Sequence, residues 1–205
     1  MGRPQTISND AMLAAAREVF LRHGSAGSTR EIAKLAGISE AALFKRFSTK
    51  AQLFMTAMAP PIPAIAPLIA EAEAAPSARL GLEKIALGVL DYFRMAIPMI
   101  LPLVAHASFT AADLPRNFET SPATTLLKSV TAYLRREHAR GRLAAKDPVA
   151  AAGVLVSTLH SIALFEIMGF HGGVVPKAGV RALVDALWHG LEPHAVPVKR
   201  RRKSK

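Results

Sequence analysis

Between Ser28 and Lys50 the chain writes out two short helical patterns around a glycine corner, the most informative stretch of the sequence. Ser28 is placed to cap a first helix, and Glu31 three residues later completes a capping box. Ile32, Leu35 and Ala36 share one face at amphipathic spacing, while Ala33 is small enough for a second helix to cross closely. Gly37 tolerates the left-handed conformation that ends one helix and permits a sharp turn. Ile38 plugs the corner. Ser39 caps the second helix, and Glu40 suits its dipole. Leu43 and Phe47 turn inward, leaving Glu40, Ala41, Ala42, Lys45 and Arg46 outward. This is the pattern of a helix-turn-helix, which lays its second helix in the DNA major groove. An ordinary helical hairpin carries similar caps, so the flanks matter.

The flanks are helical too. Asn9 to His23 reads as a helix with Leu13, Ala16, Val19 and Phe20 on one face, ended by Gly24. Thr49 to Gln52 opens a fourth helix with a second capping box. In this setting the chain resembles the TetR family of transcriptional regulators. The resemblance covers about residues 9–55. It rests on Ala15, Phe20, Gly24, Ile32-Ala33, Ala36-Gly37-Ile38-Ser39, Leu43 to Phe47, and Ser48-Thr49-Lys50 before Leu53-Phe54. It implies an all-α fold, an N-terminal three-helix DNA-binding domain and a larger helical domain for effector binding and dimerisation.

Candidate DNA contacts follow. Thr29 and Lys50 sit at helix starts, where phosphate is favoured. Arg30 has a guanine edge, a phosphate or a structural salt bridge open to it. Ser39, Ala41 and Ala42 suit sugar, phosphate or a thymine methyl. Lys45 is the best candidate for reading a base, and Arg46 for anchoring a phosphate. The resemblance adds Phe44, at a position where the family commonly has Tyr with its hydroxyl on a phosphate. Phe44 lacks that hydroxyl. Arg46 stands where a His is frequent and is able to supply a phosphate contact instead.

Charge supports a polyanionic partner. The net charge is +11 over 205 residues, distributed as +4 over residues 1–50, +1 over 51–198 and +6 over 199–205. A nearly neutral body thus lies between a basic head and a basic tail, and concentrated charge attracts polyanions in a salt-dependent way. The expected domains are 1–50 for DNA binding, 51–192 for effector binding and dimerisation, and 193–205 as a disordered basic tail. Gly2-Arg3-Pro4 matches the core of a minor-groove hook, with a non-contacting arm as the alternative. The tail either raises non-specific DNA affinity or only solubilises.

The hydrophobic fraction is 51%, β-branched alternation is nearly absent, and cysteine is absent. These features give an all-α expectation with no disulfide and no thiolate metal site. The seven His residues form no close metal pair. No Gly-rich phosphate loop or serine nucleophile elbow is found, so neither an enzyme nor a cofactor is expected. Met1 to Gln5 lacks the apolar run of a signal peptide, which points to the cytoplasm. Met95–Phe109 is about half a membrane span, and Val149–Phe165 falls just short of one. No membrane association is expected.

Further helices are expected over 64–74, from Pro76-Ser77 to about Met95, and over Pro98–Ser108 as a short kinked piece. Thr110–Pro122 reads as a loop. Helices follow over 123–140, from a start at Asp147-Pro148 to Phe170, and over 177–191. The resemblance implies a homodimer through about 148–168 and 177–191; filling a monomer core is the alternative. A small apolar or aromatic effector would meet Phe93, Met95, Met99, Phe109, Phe118, Tyr133, Phe165 and Met168. His106, Ser108, His160 and Glu166 are the available polar anchors, with core packing or exposure as the alternative for each. The reading is a repressor that binds a palindromic double-stranded operator and is released by its effector. A population shift would be transmitted by the fourth helix. A ligand-independent nucleoid-type binder and a membrane-associated helical protein remain the competing classes.

Overall fold

A computed structural model describes residues 7–61, 63–106, 122–144, 147–170 and 172–189. Regular structure among them is entirely helical: α1 (Asn9–His23), α2 (Thr29–Ala36), α3 (Glu40–Arg46), α4 (Lys50–Met58), α5 (Ile65–Glu73), α6 (Ala78–Val104), α7 (Pro122–Ala139), α8 (Pro148–Met168) and α9 (Lys177–Trp188). The all-α expectation holds. The arm at 1–6, most of the expected loop at 110–122, and the tail at 193–205 lie outside the described residues. The chain divides into two compact units, with α6 contributing its Tyr92–Val104 part to the first and its Ala78–Asp91 part to the second.

The first unit is built on α1, which packs against both α2 and α4. Met12, Ala16, Val19 and Phe20 of α1 meet Ile32, Leu43, Phe47, Leu53, Phe54, Ala57 and Met58 in one core. Phe20 and Phe54 pack edge to face at 5.0 Å, an arrangement the ring quadrupoles favour. Arg17 Nε donates to the Ala57 carbonyl at 2.9 Å, tying the end of α4 to α1. α4 therefore shares the core of the three helices before it. Met99 of α6 joins this core, and Leu103 packs against it.

Two expectations need correction here. Leu35 is exposed, at 47%. The stripe facing α1 is centred between Ile32 and Ala33, both buried. At about 100° per residue that centre leaves Leu35 about 110° away. The break expected at Pro98 is also absent: α6 runs 27 residues with Pro98 and Pro102 inside it. Each proline removes one backbone bond, yet Ala96, Ile97 and Met99 are all buried, and their packing holds the helix through both positions.

In the second unit α7 packs against α5 and α8. α6 comes close to its neighbours through two glycines seven residues apart. A Cβ on Gly81 would collide with the Tyr133 hydroxyl and lie 2.5 Å from the Ala72 carbonyl oxygen; one on Gly88 would meet the Leu68 side chain at 2.5 Å. The buried Tyr133 hydroxyl donates to the Ala78 carbonyl at 3.0 Å. Burial pushes its pKa well up, and the negative Glu137 one turn along raises it further. Glu137 is itself fully buried. It is held by Arg140 at 2.9 Å and by Arg142 at 2.6 Å, around the α7 terminus and the Gly141 corner. Arg79 pairs with Asp185, and Arg181 with Glu83 at 2.5 Å, joining α6 to α9.

The start of α8 is as expected: the Asp147 carboxylate accepts from the amides of Val149 at 2.9 Å and Ala150 at 3.1 Å, with Pro148 in the first turn. Its end comes earlier than Phe170. Gly169 adopts φ 77°, and the Phe170 amide turns back to the Phe165 carbonyl at 3.0 Å, satisfying a terminal acceptor. α9 is described as Lys177–Trp188, and the rest of the expected stretch to 191 reaches beyond the described residues. By length and apolarity α6 and α8 both reach a membrane span, which the shorter sequence segments did not. In α6 much of that apolarity faces protein, since Leu82, Ile85, Ala86, Val89 and Leu90 are fully buried.

Candidate nucleic-acid interface

The reading head is assembled from local capping. Ser28 accepts from the Glu31 amide at 3.4 Å. The Glu31 side chain does not close the expected box: it lies 3.2 Å from Arg22 and 3.8 Å from His23 of α1. The capping residue is as read, but the acid ties α2 to α1 instead. Gly37 takes φ 67°, ψ 31°, and the Ile38 amide reaches back to the Ala33 carbonyl at 2.9 Å, which makes the corner. Ser39 then accepts from the Ala42 amide at 3.1 Å. Leu43 and Phe47 are buried and fix the rotation of α3.

That rotation sets what faces outward. Ser39, Ala41, Phe44, Lys45 and Arg46 are exposed, and Ala42 is half-buried. Phe44 is 38% exposed, a phenyl ring next in sequence to the exposed cations Lys45 and Arg46. Arg30 is exposed, and among the described residues it has no ion pair, so the salt-bridge reading of Arg30 gains nothing here. Arg46 is hydrogen-bonded to the Asn9 side chain, which joins the end of α3 to the start of α1. Sequence reasoning missed Asn9, because the two residues lie 37 positions apart.

Two further contacts shape the face. The Thr29 hydroxyl donates to Glu40 Oε1 at 2.7 Å, linking the first turns of α2 and α3. Lys50 is half-buried in the first turn of α4, behind the Thr49 cap, whose hydroxyl accepts from the Gln52 amide at 3.0 Å. The Gln52 side chain reaches the Ser48 amide at 2.9 Å, one residue earlier than a strict capping box would have it. The Thr29–Glu40 bond thus joins α2 to α3, and the candidates are carried by the Ser39 cap, α2, α3 and the first turn of α4.

The twelve candidate effector residues are not gathered in the same way. Met99 lies in the core of the first unit, and His106 stacks on Phe54 there at 4.9 Å. Phe93 is buried and Met95 exposed. Tyr133 is sealed in the second unit by its bond to Ala78. His160, Phe165 and Met168 are exposed on α8. Phe109, Phe118 and the anchor candidate Ser108 lie outside the described residues. Glu166 accepts from the Val175 amide at 2.7 Å, so its carboxylate shapes a turn. A groove of about 300 Å³ in the second unit is lined by other residues: Ile65, Ala66, Ile69, Ala70, Glu73, Ser129, Ala132 and Arg136. It lies between α5 and α7, with the Glu73–Arg136 ion pair among its lining residues. No cluster of metal-ligating side chains occurs among the described residues.

Comparison with known proteins agrees with the head and extends beyond it. Residues 12–56 match the model of bacterial regulatory proteins of the tetR family. Residues 82–187 match that of the AefR-like transcriptional repressor C-terminal domain. No protein of curated function matches the chain. A protein from Mesorhizobium loti described as a TetR-family transcriptional regulator is 22% identical, with a TM-score of 0.71, covering 90% of this chain and 96% of that one. A transcriptional regulator from Saccharomonospora viridis, solved with choline, is 17% identical, with a TM-score of 0.73 and coverage of 93% and 100%. The TetR-family regulator PfmR from Thermus thermophilus is 20% identical, with a TM-score of 0.62 and coverage of 93% and 100%. A capped helix-turn-helix head and two matched segments that together span most of the sequence lead to one conclusion: the chain belongs to the TetR family of DNA-binding transcriptional regulators.

Proposed function

We propose that this regulator is a cytoplasmic repressor that binds a palindromic operator as a homodimer and is released by a small apolar or aromatic effector. The observation that carries the dimer is the outer face of α8. Val149, Val154, Phe165, Ile167 and Met168 are exposed there, Val154 at 56% and Met168 at 53%, with Phe170 and Val174 beyond. These residues form two exposed apolar groups, one near the start of α8 and one at its end, with Ser157 and His160 outward between them. Exposed apolar surface of this kind supports an interaction surface. The proposed interface comprises 148–168 and 177–191. Two heads so joined would meet half-sites about 34 Å apart or a multiple of that. In each head Lys45 and Arg30 read base edges, Arg46 and Lys50 anchor phosphates, and Ser39, Ala41, Ala42 and Phe44 pack on the groove wall.

The effector class rests on composition and on the apolar character of the groove between α5 and α7. One similar structure holds choline and another is a flavonoid-responsive regulator, so this fold accommodates more than one ligand chemistry. Selection of bound sequences from a random DNA pool, paired with sedimentation of the protein, tests the reading. A palindrome and a dimer at micromolar concentration are expected. A single unpaired half-site with a stable monomer would defeat it. The length and apolarity of α6 and α8 favour one rival, membrane association; flotation of the purified chain with vesicles would support that rival instead.

A further inference from the structure

We propose that Glu40 discriminates among bases and that Thr29 positions it, an inference that rests on the DNA-binding role of the head. Glu40 is the first residue of α3, the second helix of the motif. In a helix-turn-helix the N-terminal residues of that helix meet base edges. Yet Glu40 is a half-buried acid in a head whose Arg30, Lys45 and Arg46 are exposed cations and which must approach phosphates. A carboxylate there is unfavourable unless a donor awaits it.

The geometry says which role it has. Thr29 Oγ1 donates to Glu40 Oε1 at 2.7 Å, and the contact is partly buried. A threonine hydroxyl has a single proton to donate. With that proton given to Glu40, Thr29 is a positioning residue here rather than the phosphate donor its place in the sequence suggests. The bond fixes a side chain that would otherwise lose rotamer freedom on binding. It also leaves Glu40 Oε2 with no hydrogen bond among the described residues. An ionised carboxylate accepts at both oxygens.

The major groove presents few donors to such an acceptor: the N4 amino group of cytosine and the N6 amino group of adenine. Acidic side chains pair with cytosine N4, whereas adenine, with an acceptor beside its donor, suits an amide. Guanine O6 and N7 and thymine O4 are acceptors that would leave the carboxylate desolvated and unpaired. Glu40 therefore selects cytosine at one position of each half-site, partly by attraction and partly by rejecting the alternatives.

The test is selection from a random DNA pool at fixed salt with the full chain and with Glu40→Ala, Glu40→Gln and Thr29→Val. Circular dichroism melting of each variant accompanies it. Wild type is expected to enrich cytosine at one half-site position. Glu40→Ala should lose that preference by about tenfold while the rest of the motif persists. Glu40→Gln should move the preference toward adenine. Thr29→Val should weaken it at the same position and leave the salt slope unchanged. Identical base frequencies for Glu40→Ala and wild type would overturn the inference, whether total affinity rose or fell. A wild type that enriched no motif would instead overturn sequence-specific reading by the head itself.

Discussion

The Tyr133 hydroxyl occupies the space in which a side chain on Gly81 would begin, so α6 and α7 can approach only while position 81 has none. Alanine is the better helix former by about 1 kcal/mol. Gly81→Ala should nonetheless destabilise the protein by roughly 2 kcal/mol, because the fixed Ala72 backbone cannot move aside. Gly88→Ala should lose less, since the flexible Leu68 side chain can turn away. Urea denaturation of the two variants, compared at equal m-value, checks the order.

Tyr133 also gives the fold a sensitivity to alkali. Burial, reinforced by Glu137, raises its pKa above the ordinary 10.0. The folded state therefore favours the protonated phenol. Its stabilising contribution is complete below pH 10 and is lost as the pH rises beyond that. Melting temperature should fall more steeply above pH 10 in wild type than in Tyr133→Phe. At neutral pH that variant should lose about 1 kcal/mol with its hydrogen bond to Ala78.

Glu137 is a charge removed from water and held by Arg140 and Arg142. Glu137→Ala should lower the melting temperature strongly, because it opens a buried space and strips two cations of their partner. Replacing both Glu137 and Arg142 by Leu should recover much of that loss, since an apolar pair can substitute for a buried ionic one. A double variant no more stable than Glu137→Ala would show that the ion pair itself determines the corner at Gly141.

On the DNA face the cations should separate by role. Lys45→Ala should shift preference at one base pair by about 1–3 kcal/mol. Lys50→Ala should weaken all sequences alike and lower the salt slope by about one. Asn9→Ala should act like a mild loss of Arg46, because Asn9 holds that guanidinium in place. Binding isotherms on matched and mismatched operators across a salt series distinguish these three outcomes.

The head was legible in the sequence because its instructions are local. Ser28, Gly37, Ser39 and Thr49 cap or turn the backbone within three residues, and all four are found in those roles. What sequence could not supply were contacts made across the chain. Spacing alone places Leu35 inward, but the rotation of α2 is set by α1. Pro98 and Pro102 read as a break, but the packing of Met99 and its neighbours outweighs two lost hydrogen bonds. The Asn9–Arg46 link and the turn of Glu31 toward Arg22 depend on the same tertiary approach. The aromatic and thioether side chains of the body carry no spacing signal that could tell a pocket from a core, and the fold distributes the described ones between the two units.

In the proposed DNA complex Phe44 adds contact area without adding charge. A hydroxyl at that position could take up a phosphate oxygen, but a phenyl ring 38% exposed can bring only its apolar surface to the groove wall. Contact of that kind does not depend on displacing counterions, so the affinity it contributes persists as ionic strength rises. The protein should hold its operator over a wider range of salt than its count of lysines and arginines suggests, and should release non-specific DNA first.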